Sequence, residues 1–525
     1  MKFKLGLLLS IITISSFAQE AASIPGLNTP PKEIKEPANL KKLRLAVEAN
    51  PNNLNAHKEY LDEFRRSFDM KRTSDFSSLK NQYDQWIKRF PSSSTIPFVL
   101  GEYFYRMEKP DAKNYLLKAV EVNPDLAECW YMLAIDAMRW GDKNLESEYL
   151  KNAKNKDPKN IDYAIYYAYS FLGSNKAKSD SLLLDVALKF PTEDNAAKAL
   201  SLLIRNEEDE SIQNAYYSQL YKRFSTSKSP AFRDAMSGYF SLLINSNQPD
   251  KALELALDMV FVVKTNTLEW KQKIKVAKDF INFKKLMAAQ KYNEAHEALN
   301  NIKLTDNFSL SFVNAAEKVL LTKAELADLL GQTQAAYDTI ALKYSAQPTD
   351  KLRTLLLKYG IKLGKDTAEI DQEISKNRMA KAIPATPFTL LEYQTGQKVS
   401  LNDFKGKVVL LTFWFPGCGP CRAEFPHFEN VLKKFSKDQI VYLGINGMPE
   451  QDDYVIPFMK SSGYSFKALK DNKEADLGNL TSWGYPSNYL IDQNGKIIYS
   501  KFMIGQSDER TLELMISELV YNYKL

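Results

Sequence analysis

Prolines stand at the ends of helical-looking segments at Pro51, Pro91, Pro124, Pro158 and Pro191, at intervals of 40, 33, 34 and 33 residues. A helix pair of about 34 residues cannot bury its apolar face alone, so a chain built on that period must stack each pair on the next. The unit ahead of Pro158 can be read in register, with Trp130, Leu133, Ala134, Ala137, Gly141, Leu150 and Ala153 falling where such a repeat places small or apolar residues. Leu100, Tyr103, Ala112, Leu116 and Ala119 do the same ahead of Pro124. From about Ala196 to Gly364 the helical apolar period persists, as in KALELALDMV from Lys251 and NEAHEALNNI from Asn293, while the proline spacing lapses. That reads as further helix pairs with degenerate motifs. The tyrosines from Tyr163 to Tyr169 read as packing between repeats, and Cys129, beside Trp130, as a small buried hydrophobe.

These residues resemble the tetratricopeptide repeat family. The resemblance implies an all-α solenoid, expected over residues 39–364, whose role would be to recruit a protein partner.

At roughly 100–200 residues per domain, the 525 residues leave room for a second domain. Composition shifts near Lys365. A polar, helix-like segment from Asp366 runs into Ile383-Pro384-Ala385-Thr386-Pro387, and prolines this close end a helix, so residues 365–387 are expected to form a linker and 388–525 a new domain. There the apolar period moves towards 2. KVVLLTFWF from Lys407 and IVYLGIN from Ile440 read as buried strands around an amphipathic stretch from Arg422 to Phe435, a parallel strand–helix–strand unit with its active ends at the strand C-termini. NYLID from Asn488 and KIIYS from Lys496 read as a hairpin, with Asn494-Gly495 expected to supply the positive backbone angles of its turn. A last helix is expected from about Ser507.

The N-terminus carries Lys2 and Lys4, the apolar run LGLLLSIITI from Leu5 to Ile14, then Ser15-Ser16-Phe17-Ala18 before Gln19. This is the order of a secretory signal, expected to be removed as residues 1–18 and followed by a flexible segment at 19–38. A run of ten residues is half of the roughly twenty that span a bilayer; an uncleaved N-terminal anchor is the alternative. No cysteine follows Ala18, so an acyl anchor has no attachment point there. The expected location is periplasmic or otherwise extracytoplasmic, in soluble form. The formal charge of +6, which includes Lys2 and Lys4, is too weak to point to nucleic acid or a membrane surface. With 44% hydrophobic and 26% charged residues, disorder and collagen-like fibres are excluded.

Three cysteines in the chain rule out a disulfide-stapled scaffold, but Cys418 and Cys421 form a Cys-x-x-Cys pair between a strand ending near Phe415 and the helix that follows. A thiol at the first turn of a helix meets unpaired N–H groups and the positive end of the dipole, which favours its thiolate. Cys418 is therefore the expected nucleophile, exposed at the helix terminus, and Cys421, three residues on, the resolving thiol. Structural zinc needs four ligands, and only His427 is at hand as a third. Haem attachment needs a histidine where Arg422 stands. A peroxidase of the peroxiredoxin kind needs Thr or Ser three residues before a lone attacking cysteine, and Phe415 is there. A permanently closed structural clip stays open as an alternative.

Phe413 to Pro426, F-W-F-P-G-C-G-P-C-R-A-E-F-P, together with Gly484-Tyr485-Pro486, resembles the exported TlpA/ResA-like branch of the thioredoxin-like fold over roughly residues 383–525. The expected fold is thus multidomain, a helical repeat array followed by an α/β thioredoxin-like domain. The resemblance implies disulfide exchange through Cys418 and Cys421, and the Gly-Pro dipeptide, matching that of cytosolic thioredoxin, leans it towards reduction. Thioredoxin carries tryptophan just before its first cysteine and a buried aspartate six residues before it; here those positions hold Gly417 and Thr412. Glu424 matches the glutamate that the branch carries three residues after the second cysteine. It should share a helix face with Cys421, oppose the dipole as a carboxylate, raise the thiol pKa and accept the Cys421 proton. The alternative for Glu424 is a solvated first-turn carboxylate. Pro426 is expected to kink the helix and His427 to lie on the surface. Trp414 matches a family tryptophan packed under the site, and is grouped with Tyr485 and Pro486 as substrate-binding. The Tyr485-Pro486 bond is expected to be cis, in a loop facing the cysteines where an extended substrate could pair with the backbone. No cofactor or metal is implied. The expected partners are a disulfide-containing exported protein, an upstream thiol electron donor and a protein held by the repeats; the alternative is a non-catalytic scaffold whose thioredoxin-like domain only binds.

Overall fold

Pro51, Pro91, Pro124 and Pro158 each lie two residues past a helix end, at Ala49, Arg89, Val122 and Lys156. A proline just past a helix C-terminus cannot continue it, so the spacing seen in the sequence is a spacing of helix stops. The computed structural model describes residues 36–521 except 69–72, 173, 191–193, 208, 225–228, 264–266, 303–314 and 473–476. The signal segment expected at 1–18, the cut before Gln19, most of the segment 19–38 and Pro191 lie outside the described residues.

The chain gathers into two compact units, divided between Leu79 and Lys80. In the first, the helices Ala38–Ala49 and Leu54–Ser67 pack together, the second capped by the Asn53 side chain. The second unit carries the rest of the helical array and the sheet. Among the described residues, nineteen helices precede the first strand of any length; from Thr95–Arg106 to Asp350–Lys362 each packs on the next, and Thr367–Met379 packs mainly on Thr333–Ala346. From Ile161 to Leu326 they share one apolar core, with Leu183, Leu200, Phe232 and Trp270 inside it.

Two neighbouring units end their first helix in the same way. Lys109 N–H reaches back to Phe104 O at 2.9 Å, and Asp142 N–H to Ala137 O at 2.9 Å. Between them sits a residue in the left-handed region, Gly141 at φ 75° in one unit and Glu108 at φ 55° in the other. Glycine takes this conformation without steric cost; glutamate does not.

The stretch expected as a linker, 365–387, contains the helix Thr367–Met379, closed at its start by an Asp366–Glu369 capping box. Ile370 and Ile374, one turn apart, are buried in a core with Tyr337, Leu356 and Tyr359, so this segment packs on the array. Eight strands form one sheet: β1 Ile383–Pro384, β2 Thr389–Glu392, β3 Lys398–Ser400, β4 Val408–Trp414, β5 Ile440–Asn446, β6 Lys467–Lys470, β7 Ser487–Ile491 and β8 Lys496–Ser500, in the order β1-β8-β7-β4-β5-β6-β2-β3. β4 and β5 are parallel and β4 and β7 antiparallel, which puts the polypeptide from Phe415 onward at one end of the central strands. All seven residues of β4 are buried, as a continuous apolar run between two covered faces requires. One face packs Trp414, Phe425 and Phe458, the other Phe413, Leu443 and Tyr489.

The β7–β8 hairpin is closed by one positive backbone angle, not two. Gly495 has φ 78°, and Asn494 is not among the described residues with positive φ. Gly495 N–H bonds Asp492 O at 2.9 Å, while Asp492 Oδ1 takes the N–H groups of Asn494 and Lys496 at 2.9 and 2.7 Å. A four-residue turn braced by an aspartate side chain replaces the tight Asn-Gly turn. Among the described residues, no helix is long and apolar enough to cross a membrane.

Candidate redox site

After β4 ends at Trp414, the chain turns and enters the helix Gly419–Leu432 with Cys418 as its N-cap. Gly419 and Pro420 occupy the first helical positions, where the missing proline N–H costs no hydrogen bond. Cys418 and Cys421 are joined as a disulfide with Cα atoms 5.3 Å apart, and Cys418 Sγ also accepts the N–H of Cys421 at 3.2 Å. The pairing and its place at a helix N-terminus are as the sequence led us to expect; the exposure is not. Cys418 is 3% exposed and Cys421 fully buried, because the disulfide joins an apolar cluster with Trp414, Phe425 and Phe458 on which Phe415 and Tyr485 pack.

Glu424 is 3% exposed, so it is not a solvated first-turn carboxylate. Its Oε1 accepts the N–H of Ile504 at 2.7 Å and its Oε2 the side-chain amide of Asn488 at 2.9 Å. Burial pushes its carboxyl up to about 8 against the pull of those two donors. The group is therefore mostly protonated at neutral pH, and the standing negative charge expected next to Cys421 is replaced by a carboxylic acid that ionises just above neutrality. Asn488 pairs with Thr412 across the β4–β7 ladder. Thus the helix brings an acid to the sheet position where the resemblance looked for one on β4 itself.

Trp414 is completely buried, with its ring 4.9–5.6 Å from those of Phe466, Phe458 and Phe425. This corrects its grouping with the substrate-binding residues: it has no surface to offer and supports the loop from beneath. The Tyr485-Pro486 bond is cis. The Tyr485 ring meets Phe415 edge-on at 5.1 Å, and its hydroxyl donates to Gly447 O at 2.9 Å. Gly447 permits this approach, since a Cβ there would lie 2.2 Å from the Tyr485 hydroxyl. A cleft of about 360 Å³ opens between Tyr485, Ser482, Thr481 and Leu480. The helix Gly419–Leu432 continues through Pro426, and His427 Nδ1 lies 2.7 Å from Glu509, turned to the last helix. Cys129 is buried within the array, its thiol donating to Leu116 O at 3.3 Å, and burial pushes it up to about 12.

Four residues near the pair escaped the sequence reading. Asn488 had a usable signal, a polar residue opening an apolar strand that was read as one arm of a hairpin. Gln451, Arg422 and Glu146 had none, since their roles depend on contacts between distant segments. Gly417 N–H donates to Gln451 Oε1 at 2.7 Å, and Arg422 pairs with Glu146 at 3.1 Å.

A model of the AhpC/TSA family matches residues 382–500. The thiol-disulfide oxidoreductase ResA of Bacillus subtilis is 34% identical over 112 residues, 21% of this chain and 62% of that protein, so the chain spans about three fifths of that relative's length. ResA of Bacillus anthracis is 30% identical over 138 residues, 26% of this chain and 76% of that protein. The solved thioredoxin domain of a thiol-disulfide oxidoreductase from Bacteroides vulgatus aligns at 26% identity over 26% of this chain and 96% of that one, with a TM-score of 0.23. Through its C-terminal sheet domain, this chain belongs to the ResA-like thiol-disulfide oxidoreductases.

Proposed function

We propose that the chain reduces disulfides of exported proteins, working outside the cytoplasm after removal of residues 1–18, while residues 39–364 act as a tetratricopeptide-like array that recruits a protein partner and 388–525 carry the chemistry. In the reduced form, the Cys418 thiolate attacks one sulfur of the substrate disulfide and expels the other as a thiolate. Cys421 then gives up its proton and attacks Cys418 Sγ, releasing the second substrate thiol and closing the Cys418–Cys421 bond. One substrate disulfide has become two thiols, and an upstream dithiol donor resets the pair by the same steps in reverse. Glu424, a positioned acid that ionises near 8 and lies one helical turn from Cys421, serves as the proton acceptor of the closing step and as donor in the reverse. Tyr485 and Pro486 line the side on which an extended substrate segment lies.

The observation that carries this reading is the cysteine pair at a helix N-terminus with a buried, near-neutral acid on the same helix. The test is insulin reduction by the full chain with dithiothreitol as donor. Turnover that disappears in Cys418→Ser supports the reading; no turnover in the wild type would leave the sheet domain as a binding module on a scaffold. N-terminal sequencing of the exported protein should begin at Gln19, and a retained Met1 in a membrane fraction would overturn that part.

A further inference from the structure

A Cβ on Gly417, the residue before Cys418, would lie 2.9 Å from Gln451 Nε2, so a side chain there would have to displace Gln451. Gln451 is held in turn. Its Nε2 donates to Glu108 Oε2 at 3.0 Å, and the other oxygen of Glu108 takes Arg139 Nη2 at 2.9 Å. Glu108 and Arg139 belong to the helical array, so one chain of hydrogen bonds runs from the repeats to the backbone of the cysteine loop. Glu108 stands at a left-handed helix stop that the next unit fills with Gly141 and that Asn247 and Gln290 make further along the array, so its backbone is ordinary for this fold. What sets it apart is its carboxylate, both oxygens of which are in use.

A second contact reaches the other side of the pair. Arg422, immediately after Cys421, forms an ion pair with Glu146 of the array, both side chains 14% exposed. A third anchors the two: Tyr454 donates to Asp136 at 2.7 Å in a buried contact, Trp140 meets the Tyr454 ring edge-on, and Ser461 Oγ donates to Gly141 O at 3.2 Å.

We infer that Glu108 and Glu146 are positioning residues of the redox site, so that the array tunes the cysteines besides holding a partner. Glu108, through Gln451, fixes the loop that presents Cys418. Glu146 holds Arg422 and neutralises a cation that would otherwise add to the helix dipole in favouring the Cys418 thiolate. This deepens the exchange reading and rests on it.

The experiment uses the full chain. It measures the redox equilibrium of the pair against glutathione and the pH dependence of Cys418 alkylation by iodoacetamide in the reduced protein. With Glu146→Gln, the freed Arg422 charge should shift the equilibrium towards the dithiol by roughly threefold and move the alkylation profile to lower pH. Glu108→Ala and Gln451→Ala should each speed Cys418 alkylation by roughly three- to tenfold, as the loop loses its anchor. Glu108→Gln, whose amide oxygen still accepts from Gln451, should restore the wild-type rate. If Glu108→Ala fails to fold, Gln451→Ala deletes the same link from the sheet side and decides. Folded variants with an unchanged equilibrium, profile and alkylation rate overturn the inference while the exchange reading stands. A wild type that does not equilibrate with glutathione overturns the exchange reading itself.

Discussion

In the helical array, Lys80 meets Asp111, Tyr115 meets Asp84, Lys156 meets Asp125 and Arg139 meets Glu108, each pair 31 residues apart. Two of these pairs join the same two helices; Lys156–Asp125 lies in solvent and the other three are partly buried. Under the disulfide of the sheet domain the polar groups are instead sealed: Glu424, Asn488, Thr412 and Ser487 are each 3% exposed or less. Water screens Lys156–Asp125, which can register one repeat on the next, whereas burial and the bond to Asp84 push the Tyr115 hydroxyl well up. Burial changes the second set and lifts Glu424 to about 8, and it does the same in the array only where a carboxylate is sealed, as at Asp136, which it lifts to about 6.

The largest test of that contrast compares cysteines. Cys418→Ser should lower disulfide exchange by at least about a thousandfold. Cys421→Ser should keep the first step and trap a mixed disulfide, visible as a higher band on a non-reducing gel. Cys129→Ser, in the array, should leave exchange unchanged, because that thiol is buried, bonded to Leu116 O and far from ionising. Trapping by Cys418→Ser in place of Cys421→Ser would reverse the roles.

Next comes Glu424. Its folded pKa is raised from 4.5 to about 8, so the fold prefers the protonated form. The stability it allows is complete below pH 4.5 and is lost as pH rises through 8. Glu424→Gln should remove a pH dependence worth a few kcal/mol across that window and slow exchange near neutral pH. Asp136, which burial pushes up to about 6, contributes its own loss over pH 3.8 to 6. The difference between wild type and Glu424→Gln in urea unfolding isolates Glu424. Equal pH profiles for the two proteins would refute the assignment.

Much of this was legible in the residues and some was not, for reasons that follow the same contrast. Helix stops at Pro124 and Pro158, the buried run of β4 and the Cys-x-x-Cys at a strand-to-helix junction are local patterns, and local patterns survive in a linear reading. The first strands, β1 to β3, were missed because each is four residues or shorter; β1 owes its state to β8 and β2 to β6, far along the chain, and β3 only adds to β2 at the sheet edge. The helix Thr367–Met379 was read as part of a linker because a polar segment shows its Ile370 and Ile374 stripe only when something covers it. Cys418 was expected to be exposed because its helix terminus was considered alone, without Gln451 and the aromatic cluster around it. No property of Glu108 or Gln451 in the sequence announces that they touch.

A smaller effect separates the two ways the array uses polar groups. Tyr454→Phe removes the donor to Asp136, a carboxylate 1% exposed whose other oxygen has no side-chain or backbone donor among the described residues. Leaving a buried acceptor unpaired costs about 1–3 kcal/mol. Urea unfolding of the full chain should show that loss, largest at high pH, where Asp136 is ionised. A loss below the uncertainty of the measurement would mean that this contact is no anchor.

The smallest effect belongs to the solvent-facing ladder. Lys156 and Asp125 lie 2.7 Å apart with 38% and 79% of their side chains exposed. Bringing two mobile side chains together in water gains little Coulomb energy and restricts both, so a double-alanine cycle on this pair should give a coupling of about 0.5 kcal/mol or less, vanishing in 1 M salt, where screening acts within ~3 Å. Arg139 and Glu108 have the same 31-residue spacing, but the Arg139 side chain is 8% exposed, and Glu108 also holds Gln451. Their coupling should survive the salt. If Lys156 and Asp125 coupled as strongly as Arg139 and Glu108, the spacing alone would set the strength of these pairs. The special place given to the pair that reaches the cysteine loop would then have no basis.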